Sequence, residues 1–452
     1  MVNSSRSGLA VGDITLSTGV LCIGLKSSLR LILVRIKMYS YYLFRKQTQS
    51  IVIRNSMNHS PNSQQPDDFS LVLGGPLFQF FIRTRLTTDT LNLVKRRVIV
   101  ISLFTWLPLL VLSVLTGDAV GGGSKVPFFY DIDVHVRFLV ALPLLLVAEL
   151  VVHQRMRLTV QQFIERGIVL PQTRPQFEAL IGSAMRLRNS MVIEVLLIVL
   201  VLTAGHYLWS SQMALEAATW FATLVDGQHR FTPAGYWYAY ISIPVFQFLL
   251  LRWYFRIFIW ARFLWQVSRL NLHLVPTHPD RAAGLGFLGG SAAAFMPLLL
   301  SQGALLAGQI ANYLYYEGKT LLDFKPEIVA AVVFLLLVVL GPLCVFAPRL
   351  AQVKRQGLLE YGRLASRYVD EFDQKWLRGG APLDEQLIGT GDIQSLNDLA
   401  GSFEVVNSMR PFPFSKTIVL QAAVAVLVPV LPLALTMISL EDIVKRLLGI
   451  LL

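Results

Sequence analysis

The chain has 452 residues, of which 54% are hydrophobic and 15% charged, with a mean hydropathy of +0.56. That much apolar surface excludes an ordinary water-soluble domain and suits a chain solvated by lipid. A formal net charge of +12 would suggest nucleic acid in a soluble protein. Here the basic residues flank apolar spans, where topology and anionic headgroups account for them, and no basic-aromatic nucleic-acid signature accompanies them.

Residues 1–68 read as an extension unlike the rest. A mildly apolar run, Leu16 to Leu25, precedes Lys26, Arg30, Arg35, Lys37, Arg45, Lys46 and Arg54, the reverse of the order in a secretory signal. The expectation is a non-native upstream extension with the natural start at Met57, the alternative being an amphipathic or disordered arm. Two cysteines, Cys22 and Cys344, exclude a disulfide scaffold and a multi-cysteine metal cluster.

From residue 69 to 452 the pattern is that of an all-α, polytopic helical membrane domain. Seven apolar spans are expected: Val98 to Leu115, Val134 to Val152, Val192 to Trp209, Trp237 to Trp260, Leu285 to Leu314, Ile328 to Ala347 and Ile418 to Ile438. Most approach the ~20 residues that cross a hydrocarbon core at 1.5 Å rise per residue. Runs such as Val332 to Leu340 are continuously apolar, which excludes the alternation of a membrane β-barrel.

Lys and Arg fall in alternate connections. Five lie from Arg83 to Arg97, six from Gln154 to Arg188, five from Arg252 to Arg281 and nine from Arg349 to Lys416, against one (Lys125), one (Arg230) and two (Lys319, Lys325) in the others. The asymmetry predicts a cytoplasmic amino terminus, cytoplasmic basic loops and a periplasmic carboxyl tail. Two basic connections, 154–189 and 349–416, are expected to fold as cytoplasmic helical hairpins. In the longer one, Leu350, Val353, Tyr361, Leu364, Tyr368, Phe372 and Trp376 recur at helical spacing, Gly379 to Pro382 ends the helix, and Asp392 is positioned to cap a second. The tail 439–452 pairs a capping box, Ser439 to Asp442, with apolar residues at helical spacing, which predicts an amphipathic helix that lies on the outer membrane face or docks a partner.

Charges inside apolar spans carry most of the functional signal. Glu149, Glu194, Arg252 and Arg256 fall at comparable depth near the cytoplasmic ends of spans two, three and four. An intramembrane charge costs about 2.5–3.5 kcal/mol on the insertion scale, so such groups face partners or a water-filled cavity. Two readings stay open: salt bridges and snorkelling at the interface, or the cytoplasmic mouth of an ion or solute path. Ser291, Gln302 and Gln309, with Asn312 nearby, fall along one stripe of span five at 100° per residue. They are candidates for the lining of that path, or for inter-helix hydrogen bonds. Six spans hold or abut proline: Pro108, Pro143, Pro244, Pro297, Pro342, and Pro429 with Pro432. Each removes a donor and bends its helix.

The most motif-like connection is Leu272 to Arg281. As structure, Thr277 caps the following helix and Asp280 favours its dipole. As chemistry, His273, His278 and Asp280 would ligate a metal, or Arg281 would contact an anion at the helix amino end. His135 and His206 invite a haem reading, against which ordinary interfacial histidines weigh more, and no cofactor is expected.

The run Arg252 to Trp265, the segment Pro276 to Arg281 with its following glycines, and Tyr130 to Arg137 resemble a family of uncharacterised bacterial multi-pass inner-membrane proteins. The resemblance covers about Phe69 to Leu452. It implies a bacterial inner membrane and assigns no activity and no site residue. The functional expectation is a non-enzymatic channel or secondary transporter for an ion or small solute. The alternatives are a membrane scaffold, assembly or signalling partner, and an intramembrane metal or haem protein. Expected partners are membrane lipids, with a second copy of the chain or another membrane protein left open, and no nucleic acid.

Overall fold

The computed structural model describes residues 69–75, 79, 94–121, 125–205, 207, 219–225, 228–382 and 384–435. The expected extension 1–68, His206 and the amphipathic tail 439–452 lie outside the described residues. The chain divides into one unit of residues 66–430 and another of residues 1–65 with 431–452. Of the latter, 431–435 is described, with a helical turn at Leu431–Ala434.

Among the described residues, the larger unit is helical apart from one short hairpin. Its elements are α1 (Val94–Thr116), α2 (Ile132–Glu165), α3 (Arg174–Arg188), α4 (Met191–Gly205), β1 (Ala222–Val225), β2 (Gln228–Phe231) and α5 (Pro233–Val267). They continue as α6 (Leu285–Ala294), α7 (Met296–Glu317), α8 (Leu321–Cys344), α9 (Ala347–Phe372), α10 (Asp392–Asn407) and α11 (Lys416–Leu427). The strands pair antiparallel, Ala222 opposite Phe231.

Among the described residues, four helices, α1, α2, α5 and α8, are long and apolar enough to cross a membrane, and the bent pairs α3–α4 and α6–α7, at 44° and 41°, raise the number to six if each is one span. These are the helices of an integral, multi-pass membrane protein. Within the expected seventh span, Ile418 to Ile438, the described residues hold a shorter apolar helix. Its helix α11 holds 12 residues and stops at Leu427, because Pro429 lies in the turn that follows. In span five, Phe295 interrupts the helix before Met296–Pro297, so the glycine-rich start is a separate element.

Prolines shape the long helices by widening a turn. Pro143 and Pro244 each follow a five-residue π turn, Arg137–Ala141 and Tyr238–Ser242. Leu142 N–H bonds to the Arg137 carbonyl and Ile243 N–H to that of Tyr238. A proline cannot donate to the carbonyl four residues back and its ring crowds it, so a wider turn relieves both. Each π turn bonds to a neighbouring helix: Ser301 Oγ of α7 donates to Ala141 O at 3.0 Å, and Ser242 Oγ donates to Thr105 O of α1 at 2.7 Å.

Packing places α2 and α5 at the centre. Of their most apolar windows 44% is buried, against 28% for α1 and α8, which turn Ile99, Leu103, Leu107, Val333 and Leu337 outward to lipid. The face of α7 toward its neighbours is small. Gly303 lies against the Val426 backbone of α11, and Gly308 against Asp133 and Val136 of α2, so backbones approach where a larger side chain would hold them apart.

The connections gather at two ends. At one, rich in Lys and Arg, His273 N–H donates to Ile168 O at 2.9 Å, Arg349 to Leu270 O at 3.0 Å and Arg410 N–H to Arg281 O at 2.8 Å. At the other, Trp220 N–H donates to Val126 O at 3.0 Å and Tyr316 OH to Tyr130 O at 3.1 Å. Beyond the basic end, α9 and α10 form a hairpin. Tyr368 OH bonds to Asp392 O, and Gly357 gives α9 room against Pro276 and Val406. Asp392 is the first residue of α10 rather than its cap. Its carboxylate instead accepts from Lys375 Nζ at 3.0 Å and Trp376 Nε1 at 2.9 Å, which hold its pKa below the usual carboxylate value.

Candidate functional site

Near the basic end, five ionisable side chains meet inside the bundle. Glu149, on α2, is shared: Oε1 accepts from Arg256 Nη2 at 2.8 Å and Oε2 pairs with Arg97 Nη2 at 2.5 Å. Arg252, one turn before Arg256 on α5, pairs with Glu194 in the first turn of α4 at 3.3 Å. The Arg97, Glu149 and Arg256 side chains are at most 3% exposed, and Arg252 and Glu194 about 10% or less. The Arg256 guanidinium also lies over the Trp253 ring, 4.8 Å from its centroid, while the indole N–H donates to Leu145 O at 3.1 Å. A buried charge persists only when paired and hydrogen-bonded, and here four helices each contribute a member.

The structure thus brings together Glu149, Glu194, Arg252 and Arg256, and adds Arg97. In the sequence Arg97 reads as one of the loop cations before span one. Helix α1 begins four residues earlier than the apolar run, which draws Arg97 into the bundle. The extra helical turn is legible only in retrospect, from the apolar Val94 that precedes Lys95 and Arg96.

Of the span-five stripe, Gln302, Gln309 and Asn312 share α7 and Ser291 is set apart. Ser291 sits on α6, across the break, and its hydroxyl returns to Leu288 O at 2.6 Å. Gln302 accepts from Tyr254 OH at 3.5 Å, and Gln309 is exposed. Asn312 belongs to a different cluster at the opposite end: Nδ2 donates to Asp131 Oδ1 at 2.8 Å and Oδ1 accepts from Ile132 N–H. Asp131 Oδ2 takes the Trp220 indole N–H at 2.8 Å. His135 accepts from Trp106 Nε1 at 3.0 Å, which leaves Nδ1 of its ring without a lone pair to offer a metal.

In the Leu272–Arg281 connection, Asp280 and not Thr277 organises the chain. Its carboxylate accepts from the backbone N–H groups of Ala282 at 2.8 Å, Gly284 at 3.1 Å and Gly286 at 2.7 Å. Arg281, Ala283 and Gly284 adopt positive φ of 54°, 52° and 94°, which turns those amides onto one point, a concave nest of the kind that receives anions. The anion it holds is Asp280 itself. Partial burial alone would raise its pKa, but the three amides, with His278 beside them, outweigh it and hold the carboxyl below its ordinary value. The Arg281 backbone carbonyl accepts from Arg410 while the residue stays exposed. Among the described residues, no group of three His, Cys, Asp or Glu side chains is placed to hold a metal ion.

A segment ahead of α1 completes the site. Phe69, Ser70, Leu71 and Val72 are at most 2% exposed, and the Phe69 ring packs against Phe263 and Trp260 of α5. Compared with protein-family models, with curated proteins and with solved structures, the chain matches none. Function must be argued from the geometry of this chain.

Proposed function

We propose that the protein is a channel or secondary transporter for an ion or small solute, seated in a bacterial inner membrane with its basic end in the cytoplasm. One observation carries the reading: Arg97, Glu149, Glu194, Arg252 and Arg256 are buried at one level of an apolar bundle. Apolar side chains of similar volume would hold four helices together at no loss of stability, so packing alone does not call for five charges there. Intramembrane charges of both signs suit the handling of a charged solute or a coupling ion. In this conformation every carboxylate of the cluster is paired, which is the closed state of such a path. The Arg252–Glu194 contact, at 3.3 Å, is the loosest of the three and the one to part on opening.

The test is flux through proteoliposomes of the full chain, screened with sodium, chloride, inorganic phosphate and a pH gradient. Flux that is lost in Glu194→Gln and Gln302→Leu variants of normal fold supports the reading. Absence of flux for every probe removes it. A second reading, a scaffold or assembly partner without transport, is favoured by the α9–α10 hairpin, which exposes Leu359, Leu364, Val369, Ile388 and Ile393. Stable co-purification of another membrane protein, abolished by Ile388→Asp, would favour it over transport.

A further inference from the structure

Arg188 closes α3 at the bend into α4 and differs from the arginines of the cluster. Its partners are neutral oxygens: the Asn189 side-chain carbonyl at 3.0 Å and the backbone carbonyl of Ser70 at 2.5 Å. Arg252, besides its contact with Glu194, donates to the Gly74 carbonyl at 3.4 Å. Two guanidinium groups thus meet carbonyl oxygens of the same short strap, Phe69 to Gly75.

The strap is shaped to lie there. Ser70 Oγ pairs with His153 Nδ1 at 2.8 Å and accepts the N–H groups of Val72 and Leu73, closing a tight turn. Gly74 and Gly75 follow at φ of 128° and 87°, a conformation that other residues rarely adopt. A Cβ at Gly74 would collide with the Arg188 guanidinium, and one at Gly75 would crowd Glu194 and Arg252. Among the described residues, the two carboxylates of the cluster are engaged elsewhere: Glu149 bridges Arg97 and Arg256, and Glu194 faces Arg252. A guanidinium forms bonds about twice as strong to an anionic oxygen as to a neutral one and fits the two-oxygen edge of an oxyanion. A peptide carbonyl is therefore the weaker partner, and an oxyanion that reaches Arg188 competes with it against the burial of Phe69, Leu71 and Val72 that anchors the strap.

We propose that Arg188 and Arg252 form a binding site for an oxyanion of the sulfate or phosphate class, occupied in this conformation by the Ser70 and Gly74 carbonyls of a displaceable strap. As a statement of what is carried, the inference rests on the transport reading above; as a binding site it stands without it. The oxyanion comes either from a free solute or from a phospholipid headgroup, and both present the same oxygens to the same fork.

The experiment uses the full chain with Cys22→Ser and Cys344→Ser and a single thiol at Leu73→Cys. Maleimide labelling is followed in lipid-free detergent as inorganic phosphate replaces chloride at constant ionic strength. Labelling should accelerate about fivefold or more with saturation, as expected when bound ligand shifts a two-state segment. Arg188→Gln should label fast from the start and show no phosphate response, while Arg188→Lys should retain a reduced one. Calorimetry on the chain with Leu73 intact should show phosphate affinity falling about tenfold in Arg188→Gln, equivalent to 1.4 kcal/mol. A response in detergent identifies a free solute; one seen only in nanodiscs with phosphatidylglycerol, and not phosphatidylcholine, identifies a headgroup. Equal labelling in chloride and phosphate in every medium, with no heat of binding, overturns the site. Phosphate-dependent labelling without flux keeps the site and removes the transporter, and flux without it does the reverse.

Discussion

At the scale of single residues, the cost of an unpaired charge decides what each substitution does. Glu149 neutralises two guanidinium groups at once, so Glu149→Gln takes the shared carboxylate from both Arg97 and Arg256 in the bundle. The expected loss is about 3–5 kcal/mol, measured as a drop in unfolding midpoint in detergent. Replacing all three residues by Met, Leu and Met should restore most of the stability and still abolish flux, which separates the ionic role from the packing role. Asp280 acts on a smaller scale because it is partly solvated. Its folded-state pKa lies below the unfolded value near 4, so its stabilising effect is complete above about pH 4 and disappears as pH falls through the lowered value. Asp280→Asn should cost about 1 kcal/mol at pH 7, after allowance for solvent screening. The gap between variant and parent melting temperatures should close as pH is taken below about 4.

At the scale of elements, small residues and prolines set the geometry, and they differ in how well the sequence announces them. The contact between α7 and α11 depends on Gly303, which leaves the Val426 backbone room to approach. Gly303→Val should part the two helices at a cost of about 1–3 kcal/mol or more, visible as earlier thermal unfolding and faster proteolysis between α10 and α11, whereas Gly401→Ala, in open space on α10, should change neither. Long helices such as α2 and α5 were legible because their apolar stretches are too long for a strand even with Glu149, Arg252 and Arg256 inside them. In the stripe through Ser291, Gln302, Gln309 and Asn312 the break at Phe295 was not legible: the axis turns there by 41° and leaves Ser291 on α6, while the other three share α7. Likewise the Thr-x-x-Asp spacing suggested a cap at Thr277. The structure uses the same aspartate differently, since backbone at positive φ at Arg281 and Ala283 carries no compositional signal when the residues are not glycine.

At the scale of the whole molecule, alternation of charge along the chain and segregation of loops in space are two expressions of one constraint. The cluster was half legible: Glu149, Glu194, Arg252 and Arg256 stand out against apolar neighbours, whereas Arg97, Arg188 and the Phe69–Gly75 strap read as ordinary flanking sequence until the fold brings them together. The described connections of the larger unit collect at a basic end and an opposite end, and the proposed orientation assigns the basic one to the cytoplasm. Each Lys or Arg near an anionic leaflet contributes about 1 kcal/mol of attraction, so the nine from Arg349 to Lys416 oppose the inverted arrangement far more strongly than Lys319 and Lys325 favour it. Single thiols at Ile388, on the α9–α10 hairpin, and at Lys319, after α7, place the two ends directly. In intact cells a membrane-impermeant maleimide should label the Lys319→Cys variant and spare Ile388→Cys until the membrane is permeabilised. The reverse pattern would invert the molecule and put the mouth of the proposed path, Arg188 and the strap included, on the outside. Arg188→Gln would then alter uptake from the outer face rather than efflux from the inner one, so the labelling result also fixes the side from which oxyanion must be added in the flux assay.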